Sequence, residues 1–202
     1  MLSRTAARAE LGIGEAEPRA VAIGRLVPIK RLEHFVAMFG LDPPLPGTAS
    51  SGSPSGADRP GGDIYGDGPE RAALQRAIAA AAPGRVRLCG AGAQIASRLP
   101  AYDALVLPSV REGCPLVAVE AFAAGIPVVG YDVPGVRDVL SRWGGGVLVA
   151  ESEGPRGLRE GLRRLLADPG LRQRCRDKGA AALARFAPTA VARQLADSYA
   201  GD

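Results

Sequence analysis

Hydrophobic positions recur along the chain in two alternating rhythms. Short, near-continuous apolar runs stand at Ala20–Gly24 (AVAIG), Asp63–Gly66 (DIYG), Arg85–Cys89 (RVRLC), Ala104–Leu107 (ALVL), Pro127–Gly130 (PVVG) and Val147–Val149 (VLV). Runs this short, bounded by Gly and Pro, predict strands. The stretches between them predict helices near Arg31–Phe39, Pro69–Ala82, Ala93–Leu99, Pro115–Ala124 and Gly135–Leu140. The end of the chain predicts three more, at Arg156–Ala167, Gly170–Phe186 and Thr189–Tyr199. Strands alternating with helices in this way make β-α-β units around a parallel sheet. The expected fold class is α/β, a doubly wound, Rossmann-like parallel sheet with right-handed crossovers, built as a single domain over residues 1–202.

One segment breaks the rhythm. Leu41–Gly62 reads LDPPLPGTASSGSPSGADRPGG, nearly all Pro, Gly, Ser and Asp. It has too little apolar surface to order itself, so it is expected to be a flexible surface loop inside the domain. Trp143, in SRWGGG, is expected to pack on the loop before the last strand.

Composition narrows the function classes. Of the 202 residues, 47% are hydrophobic and 23% charged, the balance of a soluble globular protein. No apolar run nears the ~18 to 20 residues of a spanning helix, and Met1–Glu10 has no apolar stretch of a signal peptide. A cytoplasmic location is expected, with the inner face of the membrane as the alternative. The net charge of +4 is arginine-driven, with lysine only at Lys30 and Lys178. Scattered basic residues and 4% aromatics argue against a nucleic-acid surface. The run Arg156, Arg159, Arg163, Arg164, Arg172, Arg174 and Arg176 is read as a solvated, acid-balanced helical face, with an anionic membrane surface as the alternative. Three scattered cysteines and a single histidine, His34, point away from a zinc or iron–sulfur site. Cys89 and Cys175 are expected to be small buried hydrophobes or bystanders.

Three loops that follow predicted strands hold residues suited to an anionic, hydroxyl-rich ligand: Gly24–Arg31 (GRLVPIKR), Gly66–Glu70 (GDGPE) and Pro108–Pro115 (PSVREGCP). In a doubly wound sheet, ligands bind outside the carboxyl ends of the strands. Gly24 lets the backbone approach a ligand, while Arg25 and Lys30 bring two cations that suit a diphosphate. Pro115 suits a first helical turn, after which the free amides of Leu116 and Val117 favour an anion. Glu112 and Glu120 are eight positions apart, E-x7-E, so they meet a ligand at two points rather than share a helix face. Gly66 and Gly68 are read as backbone-shape residues. The stretch is neither G-x-G-x-x-G nor a G-x-x-x-x-G-K-[ST] phosphate loop.

The set GRLVPIKR, DIYGDGPE and ALVLPSVREGCPLVAVEAFAAGIPVVGYDVPGVRDVL resembles the C-terminal domain of retaining GT-B glycosyltransferases of family 4. The resemblance runs from Leu11 to Tyr199 and is most specific over Pro108–Gly135. It implies that Arg25 and Lys30 hold the donor diphosphate, that Glu112 contacts the donor sugar and that Glu120 binds the ribose hydroxyls. Backbone of Gly113, Cys114, Pro115, Leu116 and Val117 would touch sugar and phosphates, and the Cys89–Gly92 loop, with Gly90, would flank the base. Many relatives carry an aromatic residue where Cys114 stands.

The resemblance implies transfer from a nucleoside-diphosphate sugar to a saccharide or lipid acceptor, with no metal and no further cofactor. The partner expected with it is an N-terminal acceptor-binding domain beyond these residues. The apolar stripe Val191, Leu195 and Tyr199 is expected to pack on the domain or on a second copy, giving weak self-association. Two alternatives stay open: a nucleotide-sugar-binding module without activity, and a GT-B-type nucleotide-sugar epimerase.

Overall fold

The computed structural model describes residues 1–41, 60–92 and 94–184. The apolar runs form strands β1 (Arg19–Ile23), β2 (Gly61–Tyr65), β3 (Val86–Gly90), β4 (Ala104–Leu107), β5 (Val128–Tyr131) and β6 (Gly146–Val149). All pair in parallel, in the order β3-β2-β1-β4-β5-β6. β4 and β5 are buried along their whole length, because helices cover both faces of the sheet.

The helices are α1 (Arg4–Leu11), α2 (Leu32–Gly40), α3 (Arg71–Ala81), α4 (Ile95–Arg98), α5 (Leu116–Ala123), α6 (Val136–Trp143), α7 (Gly154–Ala167) and α8 (Pro169–Leu183). α2 packs on α3 and α7, while α8 packs on α5 and α6, and α1 on α4 and the turn that follows it. Outward crossovers from β1 in one direction and from β4 in the other put these two groups on opposite faces. The crossing from β3 back to β4 makes the β1–β4 boundary the switch point of the sheet.

Several expectations are corrected. Gly61 and Gly62 do not belong to a loop: they open β2 and are buried. A Cβ at Gly62 would lie 2.6 Å from Phe39 and 2.7 Å from Phe35, so the bare glycine admits the two rings of α2, which meet edge to face at 5.1 Å. Residues 42–59 of the predicted loop, and the predicted helix Thr189–Tyr199 with its stripe, lie outside the described residues. α3 begins at Arg71 rather than at Pro69, and the helix before β4 is one turn followed by a Pro-containing 3-10 turn at Leu99–Ala101. Trp143 ends α6 instead of lying in the following loop.

α1 has no counterpart among the predicted elements. Ser3 caps it by accepting from the Ala6 amide at 3.3 Å, and Gly12 ends it in the left-handed conformation at φ 63°. Arg8, fully buried, anchors it by donating to the carbonyl of Ala101 at 2.7 Å and to those of Gly14 and Glu17. A polar residue on the buried face hides the apolar periodicity by which such a helix is recognised.

Candidate functional site

The loops after β1 and β4 leave the sheet side by side at the switch point. The first makes a tight 3-10 turn at Pro28–Lys30, which Arg31 closes in the left-handed conformation at φ 44°, the one non-glycine residue so placed among those described. Arg31 also donates to Glu151 at 2.7 Å, which holds the strained residue in place. The second loop is tied to the first by Val110 N–H donating to the Ile29 carbonyl at 2.9 Å.

This arrangement brings Lys30 to Glu112, 82 positions away in sequence. The Lys30 ammonium donates to both carboxylate oxygens, at 2.7 Å to Oε1 and 2.9 Å to Oε2. Ser109, itself buried, donates to Glu112 Oε1 at 2.6 Å. The backbone of Glu112 is held from a third direction, since its N–H donates to the Pro134 carbonyl at 3.1 Å. Gly135, at φ 79°, lies so close that a Cβ there would overlap the Glu112 carbonyl. The Lys30 stem runs past Gly24, where a Cβ would only touch it, 3.5 Å from its Cε. Arg25 is exposed on the same loop.

Pro115 is the residue before α5 rather than its first helical residue, and it is buried. The residue before α5 makes no side-chain cap bond to its leading amides, among them those of Leu116 and Val117, and Gly113, Cys114 and Leu116 beside that end are exposed. Leu116 is 66% exposed, high for a leucine. Glu120 is also exposed, further along α5.

The loop after β2 packs under the first. Leu26 N–H donates to Asp67, Glu70 N–H to Leu26, and Gly24 N–H to Tyr65, at 3.0 Å each. A Cβ at Gly66 would overlap the Gly24 carbonyl, and one at Gly68 would lie 2.5 Å from the Leu26 carbonyl. Both glycines therefore serve close backbone packing, as read from the sequence. Gly90 ends β3 and accepts from Gly66 N–H at 2.8 Å. Beside it opens a cavity of about 220 Å³, lined by Ile23, Gly24, Arg25, Tyr65, Gly66, Asp67, Gly92 and Ile95.

Other expectations fall away from this edge. Of the two cysteines read as buried hydrophobes or bystanders, Cys175 is buried and Cys89 is exposed; all three thiols are free. His34 bonds the Tyr131 hydroxyl at 2.8 Å, and burial pulls its imidazole below the usual range. Among the described residues no three His, Cys, Asp or Glu side chains are placed to hold a metal ion, and no helix is long and apolar enough to cross a membrane. Sequence reasoning missed Ser109 as a partner of Glu112 and Gly135 as its support. The Ser-x-x-Glu spacing was a usable signal for the first; nothing local marks the second.

Residues 59–182 match the family model described as glycosyl transferases group 1. The chain belongs to this family. Among glycosyl transferase relatives, it is 31% identical over 183 residues to a D-inositol 3-phosphate glycosyltransferase of Kineococcus radiotolerans, a match covering 84% of this chain and 41% of that protein. It is 30% identical over 180 residues to an exopolysaccharide phosphotransferase of Streptomyces coelicolor, covering 87% of this chain and 18% of that protein. The fold matches HepE of Anabaena, solved with UDP, at a TM-score of 0.81 and 21% identity, covering 98% of this chain and 52% of that one. It also matches sucrose-phosphate synthase of Thermosynechococcus elongatus at 0.78 and 25%, covering 96% and 48%. The sheet is thus one Rossmann-like domain of the GT-B architecture, and these residues span about half the length of the solved structures they match.

Proposed function

We propose that this domain binds the donor of a retaining glycosyl transfer, a nucleoside-diphosphate sugar, at the β1–β4 switch point. The observation that carries the reading is the meeting of Lys30 with Glu112 in front of the uncapped end of α5. A diphosphate there would meet Arg25, Lys30 and the amides of Leu116 and Val117, which together offset the charge that grows on a departing diphosphate. Glu112 would accept from sugar hydroxyls and Glu120 from ribose hydroxyls, with backbone of Gly113 to Pro115 alongside. The 220 Å³ cavity beside Gly90 would receive the base. UDP is the first nucleotide to test, because HepE was solved with it. The acceptor, a saccharide or a membrane lipid, would be presented by a second domain, and the arrangement calls for no metal.

Binding without chemistry is the reading to beat. It is separated by whether a nucleotide sugar is consumed only when acceptor and a second domain are present; consumption without acceptor would instead favour an epimerase. The phosphotransferase relative does not lend its activity here, since the match covers 18% of that protein. The direct test is calorimetry with UDP, GDP and ADP. Glu120→Ala should weaken the nucleotide that binds by ~1.5 to 3 kcal/mol, the range for charge-assisted hydrogen bonds. An unchanged dissociation constant removes Glu120 from the site.

A further inference from the structure

We infer that Glu112 is a selectivity determinant that disfavours a free nucleoside diphosphate against the intact nucleotide sugar, by holding Lys30 in an ion pair that a diphosphate must displace. The inference rests on the donor-site reading above. Lys30 gives both of its short contacts to one carboxylate, at 2.7 and 2.9 Å. The side chains are 24% and 11% exposed, so water and salt screen the pair less than an open surface pair.

Glu112 cannot withdraw cheaply. Ser109 holds its carboxylate at 2.6 Å, and Pro134 and Gly135 hold its backbone. Lys30 has the freer end, because its stem runs past Gly24 and only its ammonium is engaged. A diphosphate arriving at Lys30 therefore has to take the ammonium from a carboxylate that stays in place.

The two ligands differ in how they answer that carboxylate. A nucleotide sugar brings hydroxyls that donate to it, so the carboxylate that Lys30 leaves gains new partners. A free nucleoside diphosphate has no such hydroxyls, so the partly buried carboxylate that Lys30 leaves stays uncompensated. Glu112 thus biases the site toward holding substrate and releasing product.

The experiment measures binding of inorganic pyrophosphate, of UDP, GDP and ADP, and of the matching nucleotide sugars, at low ionic strength. Glu112→Gln keeps the shape and can still accept from Ser109 and Lys30, and a melting curve checks that the fold is retained. It should tighten pyrophosphate and the nucleoside diphosphate about fivefold, the upper range for releasing a partly exposed ion pair. The nucleotide sugar should bind no tighter, and the gain should vanish when Lys30→Met is added. Lys30→Met alone should cost the anions less than the same change made together with Glu112→Gln, as a double-mutant cycle requires. Unchanged or weaker anion binding in Glu112→Gln, or a gain that survives Lys30→Met, overturns the inference while nucleotide binding by the wild type keeps the donor site. If neither pyrophosphate nor any of the nucleotides binds the wild type or Glu112→Gln, the donor site and the inference fall together.

Discussion

Asp63 lies fully buried on β2, where its carboxylate accepts from Arg19 at 2.6 Å, from Arg87 at 2.6 and 2.7 Å and from the Tyr102 hydroxyl at 2.8 Å. Tyr102 in turn reaches the Tyr65 hydroxyl at 3.2 Å, so the network ends at the ring that lines the cavity beside Gly90. Truncating one member of a buried ionic cluster leaves the others uncompensated. Asp63→Ala should therefore cost ~3 to 5 kcal/mol in urea unfolding, and Asp63→Asn clearly less. Burial alone would raise the Asp63 pKa, but the hydrogen bonds from Arg87 and Arg19 outweigh it and hold the carboxyl below its ordinary 3.8. A carboxyl depressed in the folded state stabilises above its unfolded pKa, and that stabilisation is lost as pH falls through the folded value. Wild type should lose melting temperature more steeply than Asp63→Asn as pH drops below about 4. Parallel curves for the two proteins would show that the carboxylate is not the titrating group.

At the level of elements, the site depends on loops wedged against one another without spare space. Gly135 precedes α6, and its N–H also donates to Asp138 at 3.3 Å. Gly135→Ala would both demand a left-handed alanine and drive a Cβ into the Glu112 carbonyl. Gly84, between α3 and β3, has a similar φ of 71° but open space where its Cβ would go. Gly84→Ala should then cost only the ~1 to 2 kcal/mol of the left-handed conformation and leave nucleotide binding alone. Gly135→Ala should cost more and also weaken nucleotide-sugar binding. Equal effects from the two alanines on stability and on binding would mean that the close approach to Glu112 is not what orders the loop.

For the molecule as a whole, the proposed donor contacts lie on one edge of one sheet, so the proposed donor binding should need nothing beyond it. Transfer is different: it requires donor and acceptor in near-attack geometry with water excluded. These residues cover about half of the HepE and sucrose-phosphate synthase structures they resemble. The 202 residues alone should bind nucleotide without acceptor-dependent release of diphosphate; turnover in the ~1 to 10³ per second range typical of enzymes would refute this. Adding an acceptor-binding domain should restore it.

The α/β class and all six strand positions, to within two residues, were legible from local pattern alone, because a strand buried on both faces must be a short apolar run between Gly and Pro breakers. Arg25, Lys30 and Glu112 were legible as candidates because they stand in loops after predicted strands, and Glu120 because it follows Glu112 by eight positions, in the next helix. The pairing of Lys30 with Glu112 was not, nor the joining of Gly62 to β2, nor the burial of Arg8 and Asp63. Each of these is a contact across tens of residues, and no periodicity records it. A glycine that reads as a loop breaker becomes a strand residue when two phenylalanines need its empty face, and a charge that reads as surface is buried when the fold brings its partners to it. Local sequence decides which elements form. Packing between distant elements decides which polar groups meet, since only there is water removed and a partner required.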